Sequence, residues 1–185
     1  MKKSTICMLV IMAMSAMLFA AAHTLEDAGK IDRFLLRIAK ESRRRVVLRK
    51  VTFTQEELNA YLNRIYIPRY AREVSVMELE LQNDNGVSGT MDVHLKGEKY
   101  KGLPSFLRDF TVRFEGHLES KNHRMRYLFQ DIRINGTRFS PEVLDEAFAS
   151  AQTGFRVQKS MFDWFTLLPG LKRVSVESGS ITLYY

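Results

Sequence analysis

Three observations predict an α+β fold in which helices cover the apolar face of a mainly antiparallel sheet. Apolar and polar residues alternate from Met77 to Leu95 and again from Phe110 to Ile134. Apolar residues recur at helical spacing near 25–42, 55–66 and 141–153. The period-two segments follow one another directly, joined by turn sequences rather than helices, which is the pattern of an antiparallel meander.

The N-terminal 22 residues read as a secretory signal peptide. Lys2 and Lys3 form a positive n-region, Ile6 to Phe19 an apolar run, and Ala20-Ala21-Ala22 a small-residue cleavage site. The competing reading is an uncleaved anchor in the inner membrane, because Ile6 to Ala22 approaches a spanning length. The expected mature chain, 23–185, is a single domain exported to the periplasm or secreted. It lacks cysteine, since the lone Cys7 belongs to the signal, so neither disulfides nor Cys-rich zinc sites stabilise it. Without Lys2 and Lys3 it holds 26 basic against 21 acidic residues, a balance of +5. Such a balance favours anionic partners, and export points to lipid headgroups or acidic glycans rather than nucleic acid; solubility alone also accounts for a modest positive charge.

The elements follow in order. Ala28, Ile31, Leu35 and Ile38 make an amphipathic helix over 25–42. Val46 to Phe53 reads as a strand. Thr54-Gln55-Glu56-Glu57 is a capping box opening a helix with Leu58, Tyr61, Leu62 and Ile65 on one stripe, and Pro68 limits its run. Met77, Leu79 and Leu81 form a strand, and Asn83-Asp84-Asn85-Gly86 supplies a turn. Val87 to Leu95 returns. After a loop holding Gly102 and Pro104, Phe110 to Leu118 and Met125 to Ile134 make two more long strands. The apolar phase slips between Phe129 and Ile132, which predicts a bulge there. Ser140 caps a further helix with Pro141 at its first position and Gly154 near its end. Val174 and Val176, a Gly179 turn, and Ile181, Leu183 and Tyr185 make a terminal strand pair.

The apolar face must be buried against something. Either the helices cover it fully, giving a filled core, or incomplete coverage leaves a groove between sheet and helix. In the second case Met77, Leu79, Met91, Val93, Phe110, Val112, Phe114, Tyr127, Phe129 and Phe148 would contact a lipid or other hydrophobic small molecule. Methionine and aromatic side chains adapt to guests of varied shape. Arg43, Arg44, Arg45, Arg49 and Lys50 adjoin the first strand and would meet anionic headgroups or a membrane surface. Alternatively they protect a strand edge from aggregation.

Three segments resemble bacterial envelope proteins with a tubular lipid-binding (TULIP-like) fold. Val51 to Leu62 (V-T-F-T-Q-E-E-L-N-A-Y-L) is similar to the family's strand followed by a T-x-E-E-L-N helix start. Ile134 to Leu144 (I-N-G-T-R-F-S-P-E-V-L) resembles its G-x-x-x-P-x-x-L step from strand into helix. Leu167 to Gly179 (L-L-P-G-L-K-R-V-S-V-E-S-G) resembles its closing L-P-x-G-x-x-x-V-x-V-x-x-G segment. The matches fall in order across most of the mature chain, which departs from the pattern in Ser140 and in its long basic first helix. The resemblance implies a long curved sheet wrapped around amphipathic helices and holding a lipid or similarly oily molecule.

No constellation for catalysis is visible. Of the histidines, His23 begins the mature chain, His94 and His117 fall on polar strand faces, and His123 sits in a turn. None forms an i, i+4 helical pair suited to zinc. There is no Gly-x-Ser-x-Gly elbow, and no cysteine nucleophile remains after export. The sequence therefore predicts a non-enzymatic protein with no metal or cofactor that binds or shuttles a lipid. The alternatives are an envelope interaction or scaffold module with a filled core, and an unrecognised hydrolase.

Overall fold

The computed structural model describes residues 25–41, 48–96, 108–151, 160 and 162–185. The predicted signal peptide, Arg43 to Arg45, the loop with Gly102 and Pro104, and Gly154 lie outside the described residues. Among those residues, no helix is long and apolar enough to cross a membrane.

The α+β class holds, with antiparallel pairing throughout. Helix α1 (Leu25–Glu41) precedes β1 (Lys50–Thr54), α2 (Gln55–Tyr61), a π-helical turn (Leu62–Tyr66) and α3 (Ile67–Tyr70). Strands β2 (Val74–Leu81), β3 (Gly86–His94), β4 (Asp109–Lys121), β5 (Arg124–Ile134) and β6 (Thr137–Phe139) follow. Then come α4 (Pro141–Ala151), β7 (Phe165–Thr166), β8 (Arg173–Glu177) and β9 (Ser180–Tyr184). The larger sheet runs β2-β3-β4-β5-β6, with β7 also paired to β5, and a second sheet runs β1-β9-β8.

The capping box forms as expected: Thr54 Oγ1 accepts from the Glu57 amide, and the Glu57 carboxylate accepts from the Thr54 amide. The helix passes Pro68 because the π-helical turn resets the hydrogen bonding. The proline then lies in the first turn of α3, where no donor is needed. The slipped phase in β5 is a bulge. Glu115 faces Asp131 while Gly116 faces Phe129, leaving Gln130 as the extra residue. Gly116 is required there, because a Cβ would stand 2.1 Å from the Leu128 carbonyl oxygen.

Sequence alternation did not reveal that the terminal pair belongs to a separate sheet. Its partner is β1, with Phe53 opposite Ile181 and Thr52 opposite Thr182. The buried faces of both sheets and of α1 and α2 join in one core. Phe34 of α1 meets Phe53 and Tyr185 edge-on, at centroid distances of 5.5 and 5.1 Å.

Polar side chains close two sheet edges. Gln55, Asn59 and Asn63 stand four residues apart along the helix and reach alternate residues of edge strand β2. Gln55 Oε1 accepts from the Leu81 amide at 2.7 Å. Asn59 and Asn63 each both accept from and donate to the backbone, of Leu79 and Met77 respectively. The match is geometric: four helical residues rise about 6 Å and two strand residues about 6.7 Å. At β8, the amides of Val174, Val176 and Ser178 donate to Ser120 Oγ, Asn85 Oδ1 and Asn83 Oδ1. Both edges are thereby denied to a foreign strand.

Candidate functional site

The expected groove residues occupy the interior. Met77, Leu79, Met91, Val93, Val112, Phe114 and Tyr127 are at most 7% exposed and share one core. Phe110 and Phe129 are half-buried against it, and the Phe148 side chain lies outside the described residues. Cross-strand register explains how they meet. Met77, Met91 and Val112 form one row, Leu79, Gly89 and Phe114 the next, and Val93 lies opposite Phe110.

Gly89 is the one place in these rows without a side chain. The gap is filled: a Cβ there would lie 2.6 Å from the Phe114 ring and 2.8 Å from Leu79. Phe114, Tyr127 and Phe129 pack edge-to-face, with Tyr127 and Phe129 centroids 4.6 Å apart. Tyr127 donates its hydroxyl to the Val87 carbonyl at 2.5 Å, and burial raises its pKa.

The opposite, polar face of the larger sheet carries an open recess of about 690 Å³. Helix residues Gln55, Glu56 and Asn59 form its rim, and charged and hydroxyl side chains of β2 to β5, together with Leu79, Gly89 and Phe114, its floor. Register sets a basic row beside an acidic one. Thr90, Arg113, Arg133 and Arg138 face one another in sequence across β3 to β6, as do Ser88, Glu115 and Asp131 across β3 to β5. Asp131 pairs with both Arg133 and Arg138, and its hydrogen bond from Arg133 leads in lowering its pKa. This recess was missed in the sequence; the signal was alternate arginines and acids on the wet face of two adjacent strands.

Among the histidines, His94 Nδ1 lies 2.7 Å from the Asp109 carboxylate, on an exposed sheet margin. His123 Nδ1 lies 2.8 Å from the Leu171 carbonyl oxygen, so that ring fastens a turn to a loop.

Of the expected headgroup residues, Arg49 and Lys50 are exposed, whereas Arg43, Arg44 and Arg45 lie outside the described residues. Lys50 stands opposite Tyr184, which stands opposite Arg173. The register therefore carries the start of β1 to the start of β8, a neighbourhood rich in further cations. Comparison of the chain with protein-family models, with curated proteins and with solved structures finds no match.

Proposed function

We propose that this chain is an exported envelope protein that acts through its surface as a non-enzymatic interaction module. Its own side chains fill its core. The signal-like layout of residues 1–22 supports export. The observation that carries the module reading is the interior itself: the sheet's gap at Gly89 is occupied by Phe114 and Leu79. A vesicle-to-vesicle transfer assay with a fluorescent phospholipid tests it. The expected result is transfer no faster than without protein; protein-dependent transfer at catalytic amounts contradicts it.

A second reading has one observation in its favour, the soft interior of Met77 opposite Met91 beside Phe114, Tyr127 and Phe129. In that reading the sheet wraps around α1, and a lipid or other hydrophobic ligand enters by displacing the helix. Methionine and aromatic packing lowers the cost of such opening. The same transfer assay separates the two readings.

A further inference from the structure

We propose that the end of the molecule built around Trp164 docks on an anionic lipid surface, with one headgroup phosphate seated beside the indole. The proposal deepens the surface-acting reading and rests on it only in placing the protein near a membrane.

Five separate segments converge there. The β4–β5 hairpin brings Lys121, Arg124 and Arg126, the start of β8 brings Lys172 and Arg173, and the start of β1 brings Arg49 and Lys50. Trp164 precedes β7, and Tyr184 ends β9. The cations gather on the rings: Lys121 Nζ and Arg126 Cζ each lie 4.8 Å from the Trp164 ring centre, and Arg173 Cζ lies 4.2 Å from that of Tyr184. A recess of about 390 Å³ opens between them, lined by Lys121, Arg173, Trp164 and the hydroxyl-bearing Ser120 and Ser175. Glu119 also lines it, but its carboxylate is bound to Arg126 Nε at 2.6 Å. Two cations that line the recess, Lys121 and Arg173, suit a phosphate.

Two exposed apolar side chains complete the surface. Leu168 is 44% exposed, in a loop with Pro169 and Gly170, and Leu48 is 60% exposed just before Arg49. The loop is fastened to the hairpin, since the His123 amide donates to the Lys172 carbonyl and the Leu167 amide to the His123 carbonyl. Cations around a half-buried tryptophan, with leucines at the margin, match a headgroup layer whose anions lie above an apolar interior. A nucleic acid or glycan would use the cations but has no place for Leu168 and Leu48.

Trp164 is the chain's one tryptophan, so its fluorescence reports this end alone. The full-length chain is titrated with vesicles of phosphatidylglycerol and phosphatidylcholine, and with phosphatidylcholine alone. Docking shifts Trp164 emission to shorter wavelength on the anionic vesicles only, and high salt reverses it. Each cation near such a surface contributes about a fivefold gain in affinity. The double variant Lys121→Ala/Arg173→Ala then binds at least tenfold more weakly with unchanged circular dichroism. Binding through the N-terminal segment, whose Lys2 and Lys3 also favour anionic headgroups, would leave Trp164 emission unmoved. Equal binding to both vesicles, binding without a Trp164 shift, or a double variant that binds like the parent overturns the proposal. So does a response to heparin with none to anionic vesicles, which would make this a glycan surface.

Discussion

Replacing Asn59 by alanine tests how the larger sheet is finished at its β2 edge. The Asn59 amide holds the Leu79 backbone on both sides, donating to its carbonyl at 2.8 Å and accepting from its amide at 2.6 Å. Each such hydrogen bond contributes about 1 kcal/mol net, and a buried group left unpaired costs about 1–3 kcal/mol. The site is only partly buried, so water recovers some of that cost. The expected loss is about 3 kcal/mol, or a fall in Tm of roughly 6–12 °C at this chain length. Asn59→Leu keeps the bulk and should lose as much, which separates hydrogen bonding from packing. Urea unfolding followed by circular dichroism gives the energy, and native-state hydrogen exchange gives the location. The Leu79 amide should lose protection while that of Val112 keeps it. A change below about 0.5 kcal/mol, with Leu79 still protected, would refute the reasoning, since surface substitutions commonly stay within that range.

Gly116→Ala forces a Cβ against the Leu128 carbonyl oxygen at the bulge, so we expect about 3 kcal/mol of destabilisation by urea unfolding. Tyr127→Phe removes the bond to Val87 and should cost about 1–3 kcal/mol at neutral pH. Because burial raises the Tyr127 pKa, its contribution is complete below the ordinary tyrosine value of about 10 and is lost as pH rises beyond it. The variant should therefore lose less stability than the parent between neutral pH and about pH 11. Asp131 and Glu119 shift the other way, lowered chiefly by hydrogen bonds from Arg133 and Arg126. Their contribution is present above the ordinary carboxylate range of about 4 and fades as pH falls below it. Asp131→Asn should flatten the acid limb of a Tm-versus-pH curve; an unchanged limb would contradict the pairing.

The meander was legible because its two faces meet different solvents. Glu78 and Glu80 between Met77, Leu79 and Leu81 display the period directly, and the slip after Phe129 announced the bulge at Gln130. What local pattern could not carry was long-range partnership. Nothing in Lys50–Thr54 announces that its partner is Ser180–Tyr184, at the other end of the chain. Strand β6 is too short to show a period, and the π-helical turn leaves the apolar stripe around it intact. The edge closure was readable in principle, since Gln55, Asn59 and Asn63 share a four-residue spacing beside the apolar stripe. Apolar periodicity alone does not display it.

The candidate sites divide the same way. The apolar set was legible because it is the core pattern, and that pattern marks what is buried whether or not a guest binds there. The basic run near Arg43 to Lys50 showed local charge density. Lys121, Arg126, Trp164 and Arg173 are scattered along the chain, and they are assembled by the pairing of β5 with β4 and β7 and by the Val174–Ser120 hydrogen bond that ties β8 to β4. An aromatic–cation site made from four separate strand ends leaves no contiguous trace.

The central claim is that this protein's interior is complete without a guest. Native mass spectrometry of the chain, purified without detergent from its own cells, weighs that interior directly. The account predicts the mass of the bare polypeptide, with no lipid-sized adduct in the gently activated spectrum. A stoichiometric adduct of lipid mass, lost only on strong activation, would contradict it.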